Sequence, residues 1–353
     1  MTRRTERKYD RLYRTLLAQI RTGALAPGER LPSKRTLADR AGVSLITAER
    51  AYGMLEEEGY ITARERQGYF VNTVLPVSGA PAEEHPSLCL LPAEPVPAGG
   101  TAMETSVWFR TVRKVLARDG DRLFVRAPGF GCSVLRNAIA GYLLRYRGMF
   151  AQPRQILIGS GAEQLYECAV RLLGRTCVFG IEDPGYDRIR AAYTGMGAPV
   201  RLLPLGSDGI RAEALAAGGF DVLHVTPFHS FPSGITTSVE KRHAYLAWAR
   251  ANRALIIEDD YDSEFFLPGH PVASLYSLDK QHAVIYINTF SKSISPAVRI
   301  GYMILPEPLC ARAESLFEGL PCQVPVMDQY VLAEFISSGN FERHLNRVRR
   351  GMR

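Results

Sequence analysis

A lone lysine among small hydroxylated residues, directly after an apolar run, constrains this chain more than any other feature. Ala283 to Ile287 is an uninterrupted apolar stretch, the pattern of a strand buried on both faces. It runs into Thr289-Phe290-Ser291-Lys292-Ser293-Ile294-Ser295-Pro296-Ala297-Val298-Arg299-Ile300-Gly301. A lysine used for chemistry needs a reachable amine on a short loop at a strand end, where it can form a Schiff base with a carbonyl. The hydroxyls of Thr289 and Ser291 and the planar fork of Arg299 suit a phosphate. Taken alone, the stretch reads equally well as a solvated loop.

A second stretch breaks that tie. Ala254-Leu255-Ile256-Ile257-Glu258-Asp259-Asp260-Tyr261 is an apolar run ending in acids, which predicts a strand running to the carboxyl edge of a sheet. Open α/β sheets bind their ligands at that edge. Strand alternation puts Asp259 and Tyr261 on one face and Asp260 on the other. A carboxylate there can hold a pyridine nitrogen protonated, and Tyr261 can donate to a phenolate oxygen on the same ring. The cofactor that needs all of these groups is pyridoxal 5'-phosphate (PLP).

Glu258-Asp259-Asp260-Tyr261-Asp262-Ser263-Glu264-Phe265 and the Lys292 stretch resemble the MocR group of GntR-type bacterial regulators. Those proteins join a winged helix-turn-helix to a fold-type I aminotransferase-like domain. The resemblance runs from about residue 6 to the end of the chain, with the motifs in the family's order.

The chain has 353 residues, a net charge of +7 and a pI near 9.1, which favours a polyanionic partner. Basic residues gather at both ends, Arg3 to Arg40 and Arg343 to Arg353. The six cysteines show neither a Cys-x-x-Cys pair nor metal spacing with His. They read as small apolar residues of a cytoplasmic protein, and no metal site is expected. No apolar run is long enough to span a bilayer, and no signal peptide is evident.

Residues 1–72 read as a DNA-binding head. Leu12, Leu16, Leu17 and Ile20 recur at helical spacing before Gly23. Ser33 caps a helix over Lys34 to Ala41 that Gly42 ends, and Ser44 caps a third that runs to Gly59. Short helix, tight turn and capped helix form a helix-turn-helix, whose second member enters the major groove. Tyr60 to Val71 alternates around Gln67-Gly68 as a two-stranded wing would. The resemblance implies Ser33, Arg35, Ser44, Thr47, Arg50 and Gly68 as DNA contacts. The position after Ser44, often basic in such heads, is Leu45, which suits a thymine methyl rather than a hydrogen bond.

Residues 73–100 carry six prolines and almost no positive charge, the composition of a semi-extended linker that could reach about 70 Å. Leu88 to Leu91 reads alternatively as a short docking strand. Strands and helices then alternate over residues 101–353, predicting a mostly parallel α/β body. Gln155 to Gln164 goes strand, glycine turn, helix, and amides at a helix start bind phosphate. By the resemblance, Gly161, Ala162 and Glu163 cradle the PLP phosphate, and Tyr186 stacks on the pyridine ring. His229 reads as a site residue or as a turn histidine. Phe231 stands where aminotransferases usually carry an asparagine, and Arg126 where a tyrosine commonly reaches the partner subunit's phosphate.

Bodies of this family run longer than residues 101–353, so the small domain is expected to be incomplete, without the arginine that binds a substrate carboxylate. The reading is a PLP-dependent transcriptional regulator. It binds operator DNA, senses PLP or a small amino effector through Lys292, and works as a cytoplasmic homodimer, head-to-tail with heads near the partner body. The alternatives are a working PLP-dependent aminotransferase and a DNA-binding fragment that no longer holds cofactor.

Overall fold

The computed structural model describes residues 8–65, 67–73, 104–265 and 273–351. They fall into two compact units, a head and a body. Residues 74–103, which hold most of the expected linker and the alternative Leu88–Leu91 strand, lie outside the described residues.

The head has three helices, Lys8–Arg21, Lys34–Ala41 and Leu45–Glu57, and a wing of β1 (Ile61–Arg64) and β2 (Gly68–Val71). The Ser33 hydroxyl accepts from Thr36 N at 3.2 Å and the Ser44 hydroxyl from Thr47 N at 3.3 Å, so both caps form. Gly42 closes the second helix at φ +62, a left-handed conformation that costs glycine nothing. Leu16, Ile20, Leu37, Tyr52, Leu55 and Val71 meet in one apolar core. The wing is antiparallel, with Ile61 opposite Val71 and Arg64 opposite Gly68.

The body is built on a seven-stranded sheet of β3 (Ile156–Gly159), β4 (Phe179–Asp183), β5 (Val200–Pro204), β6 (Val222–Val225), β7 (Leu255–Asp260), β8 (Val284–Thr289) and β9 (Gly301–Ile304). Their order is β3-β9-β8-β7-β6-β4-β5. Only β9 runs antiparallel to its neighbours; β8, β7, β6, β4 and β5 pair in parallel. Every residue of β3, β6, β8 and β9 is buried, as expected for a sheet with helices on both faces.

Register decides which residues share a face. On β7 and β8, Ile257, Ile285 and Ile287 pack with Leu165, Tyr166 and Tyr193. Ile256 and Val284 face the opposite layer, with Tyr245 and Trp248. Asp259 pairs with Ile287 and Asp260 with Asn288, so the two adjacent aspartates point to opposite sides. Glu258 also leaves the Ile257 face; its carboxylate accepts from Leu275 N at 2.8 Å and Tyr276 N at 2.9 Å, capping the short helix Leu275–Leu278.

The sequence places a helix over Val134 to Tyr146. The α-helix ends at Tyr142, and a π-helical turn, Leu143–Arg147, continues it. The wider turn brings Arg147 inward, where Nη2 lies 2.7 Å from Asp260 Oδ2 and Nη1 2.5 Å from Ser263 Oγ. Such turns recur inside α-helices at functional sites. The basic stretch from Phe341 forms the helix Asn340–Gly351. Its Arg349 Nε donates to Glu264 O at 2.6 Å, and His344 Nε2 meets Ser293 O at 2.8 Å.

Candidate functional site

The carboxyl ends of β4, β6, β7 and β8 converge on a cleft of about 510 Å³. Asp259 and Tyr261 enter it from the end of β7, Lys292 and Ser291 from the turn after β8, and Tyr186 from a helix start after β4. Ala162, Glu163, His229, Thr289 and Arg299 also line it. Gly161 lies beside it, where an added Cβ would come within 3.0 Å of Arg299 Nη2. Apart from Arg126, the body residues singled out from the sequence therefore meet in one place, although they span from residue 161 to residue 299.

Lys292 lies on the short helix Phe290–Ser293, capped by Thr289, whose hydroxyl accepts from Ser291 N at 3.2 Å. Its Nζ donates to Asp262 Oδ2 at 3.0 Å and sits 4.6 Å from the centre of the Tyr261 ring. The same Asp262 oxygen meets His229 Nδ1 at 2.8 Å. Tyr261 donates its hydroxyl to His229 O at 2.8 Å. Burial first, then the Asp262 and Asp259 carboxylates, push the Tyr261 phenol well above its ordinary value, so it stays a donor at neutral pH.

Asp259 is nearly inaccessible, at 3% exposure. Its Oδ2 accepts from the Tyr166 hydroxyl, whose pKa burial and this carboxylate raise well above the ordinary phenol. Its Oδ1 is buried with no hydrogen-bond partner among the described residues. A buried carboxylate oxygen left bare is costly, and a protonated ring nitrogen in the cleft would satisfy it.

The phosphate end fits as well. Gly161 has φ +110 and begins the helix Ala162–Leu173. Glycine is the residue that takes this conformation freely, and the helix start presents unpaired amides. Arg299 stands against that glycine. Thr289 and Ser291 line the cleft but also bond locally, Thr289 Oγ1 to Ser291 Oγ at 3.1 Å and Ser291 Oγ to Val298 O at 3.2 Å. Glu163 is held by Arg188 Nη1 at 2.7 Å. These residues fit PLP: a lysine for its aldehyde, a carboxylate for its ring nitrogen, and an arginine with a helix start for its phosphate.

Several contributors were not singled out from the sequence. Asp262 holds both Lys292 and His229; Tyr166 holds Asp259; Thr226 lines the cleft. His224 lies behind, with Nε2 3.7 Å from Asp259 Oδ2 and Nδ1 2.6 Å from the Tyr193 hydroxyl. The signal for Asp262 was present in its motif, one residue past Tyr261. Tyr166 sits mid-helix and carries no local mark. Phe231 packs edge-on to Tyr186, ring centres 5.9 Å apart, and so forms an apolar wall where an asparagine would offer a hydrogen bond. Arg126 Nη2 donates to Gly319 O at 3.1 Å within its own chain.

In the head, Ser33, Arg35, Ser44, Arg50 and Gly68 are exposed and Thr47 half-buried. Arg50 is not free, since its guanidinium lies 4.4 Å over the Tyr9 ring. Gly68 opens the second wing strand at φ +102. Among the described residues no cluster of His, Cys, Asp and Glu could hold a metal, and no helix is long and apolar enough to cross a membrane.

Known proteins match both units. Residues 8–71 match the bacterial regulatory proteins of the gntR family, and residues 99–351 match aminotransferase class I and II. The chain is 34% identical to the uncharacterized HTH-type transcriptional regulator YdeL of Bacillus subtilis (strain 168), over 97% of this chain and 76% of that protein. It is 30% identical to the probable rhizopine catabolism regulatory protein MocR of Rhizobium meliloti, over 97% and 74%. Among solved structures, an archaeal alanine:glyoxylate aminotransferase superposes with a TM-score of 0.63 at 25% identity, covering 69% of this chain. The chain spans 62% of that enzyme's length. A head matched by one family and a body matched by the other, in relatives aligned across both, show that the chain belongs to the MocR-type GntR regulators, in which a helix-turn-helix is joined to an aminotransferase-like, PLP-type domain.

Proposed function

We propose that this chain regulates transcription by binding operator DNA through its head while its body senses PLP, or an amino compound that competes for PLP, through Lys292. The observation that carries the reading is Asp259 Oδ1, buried and unpartnered in the cleft that holds Lys292. Bound PLP supplies an aldehyde for the lysine and a ring nitrogen for that oxygen. The chain's own residues do the rest. Asp259, fixed by Tyr166, orients the ring; Tyr186 and Phe231 wall it from water; Arg299 and the helix start at Gly161 grip the phosphate. Asp262 gives the free amine of Lys292 a defined resting partner at 3.0 Å, which suits a lysine that is attached and released in turn.

Sensing rather than turnover is favoured by the apolar wall that Phe231 forms against Tyr186. Among the described residues the arginine that lines the cleft, Arg299, stands at the phosphate end, and Phe231 supplies no hydrogen bond. A homodimer is part of the proposal. Phe124 and Val125 are 82% and 60% exposed, and the neighbouring Arg126 joins them to the segment of Gly319 and the exposed Leu320, an apolar surface that a second copy would cover. The cytoplasm, where operators are, is consistent with five free cysteines among the described residues.

The test is chemical. Borohydride reduction of the protein with PLP, followed by peptide mass spectrometry, should find the pyridoxyl adduct on Lys292, and Lys292→Ala should lose it. An adduct on another lysine would overturn the site. Rapid multiple-turnover transamination of any amino acid would replace the sensor with an enzyme.

A further inference from the structure

The helix Leu45–Glu57 begins with two exposed aliphatic side chains. Leu45 is 44% exposed and Ile46 77%. Its nearby polar side chains are already committed. Thr47 Oγ1 pairs with Ser44 Oγ at 2.8 Å, Glu49 Oε1 takes Lys34 Nζ at 2.6 Å, and the Arg50 guanidinium covers Tyr9. What this turn presents outward is mainly hydrocarbon.

The charge on the helix says which surface it meets. Glu56, Glu57 and the capping Glu58 lie at its far end, and the single acid near its start, Glu49, is neutralised by Lys34. The start carries the positive end of the helix dipole, and the exposed Arg35 belongs to the preceding helix. A polyanion is thus drawn to the end that carries Leu45 and Ile46. In the major groove of a duplex, the one apolar group on a base edge is the C5 methyl of thymine.

We infer that Leu45 and Ile46 are specificity-determining residues that read thymine through its methyl group, so that the sequences this head selects hold thymine beneath both side chains. Discrimination there rests on burying a methyl rather than on a hydrogen bond. Burying one methyl-sized group is worth about 0.8 kcal/mol, about fourfold in affinity. The effect of each contact is therefore modest and adds across half-sites.

The experiment uses the full chain and duplexes selected by it from a random-sequence pool. Each thymine of the enriched site is replaced singly by uracil, which removes the methyl and keeps every hydrogen bond. Uracil should weaken binding about fourfold at the thymines under Leu45 and Ile46, and hardly at all elsewhere. Ile46→Ala, a change at an exposed side chain, should bind the thymine and uracil duplexes alike at its own position and keep the preference at the Leu45 position. Leu45→Ala should do the reverse. Placing 5-methylcytosine at those positions should bind better than cytosine, because it restores the methyl without the thymine hydrogen-bonding pattern. The inference fails if uracil is tolerated at every position, or if both variants keep the wild-type preference. It also fails if the pool yields no enriched sequence while salt-dependent binding to bulk duplex persists.

Discussion

Asp259 and Asp260 are neighbours in sequence, and replacing each by asparagine should have opposite consequences. Asp259 faces the cleft with one oxygen on Tyr166 and the other bare. Asp260 faces the other side, where its Oδ2 accepts from Arg147 Nη2 at 2.7 Å, Ser263 Oγ at 2.6 Å and the Tyr286 hydroxyl at 2.6 Å. In Asp259→Asn the amide oxygen can still accept from Tyr166, and a buried charge with a bare oxygen is removed. Stability of the PLP-free protein should move by less than about 1 kcal/mol. The charge-assisted bond to a ring nitrogen is lost, however, at about 1.5–3 kcal/mol, which is about ten- to a hundredfold in PLP affinity. In Asp260→Asn the guanidinium of Arg147, 14% exposed, keeps among the described residues Glu264 at 3.6 Å as its anionic partner. Leaving a buried charge short of its partner costs about 3–5 kcal/mol. Urea unfolding of the PLP-free protein gives the stability terms, and a visible-absorbance titration with PLP gives the affinities. The reasoning is refuted if Asp259→Asn binds PLP within twofold of wild type, or if Asp260→Asn unfolds at the wild-type urea concentration.

The remaining expectations concern backbone, pH and DNA. Gly161→Ala forces a side chain into φ +110 with its Cβ 3.0 Å from Arg299 Nη2; a strain of more than about 1 kcal/mol should appear as weaker PLP binding in the same titration. Burial pushes Glu258 and Glu264 each up to about 7. A carboxyl whose folded pKa lies above its unfolded value stabilises the fold at low pH and loses that contribution as pH rises through the folded value. Thermal stability should therefore fall between about pH 5 and 8, by about 3 kcal/mol for one such group, and a melting temperature that climbs across that range would contradict both assignments. If Arg35 contacts a phosphate, Arg35→Ala should reduce the slope of log affinity against log salt by about one per head and leave sequence preference unchanged. Gel-shift titrations at several salt concentrations measure both.

The head and the order of the body's motifs were legible in the chain because their determinants are local. Ser33, Gly42 and Ser44 cap or end helices through hydrogen bonds and φ angles set within a few residues. The alternation along β7 separated Asp259 from Asp260 because a strand's period of two leaves no other choice. The parallel sheet followed from buried apolar runs spaced by helices. Tertiary structure alone decided what crosses the sheet. Tyr166 fixes Asp259 across 93 residues, and Asp262 joins Lys292 to His229 across 30 and 33 residues. No local pattern marks a tyrosine for a carboxylate that only strand pairing brings near. Arg147 reaches Asp260 through a π-helical turn that a helical period of 3.6 does not predict. The residue types of the site are thus written in short motifs, whereas their partners are set by register, helix winding and burial, which act between segments far apart in the chain.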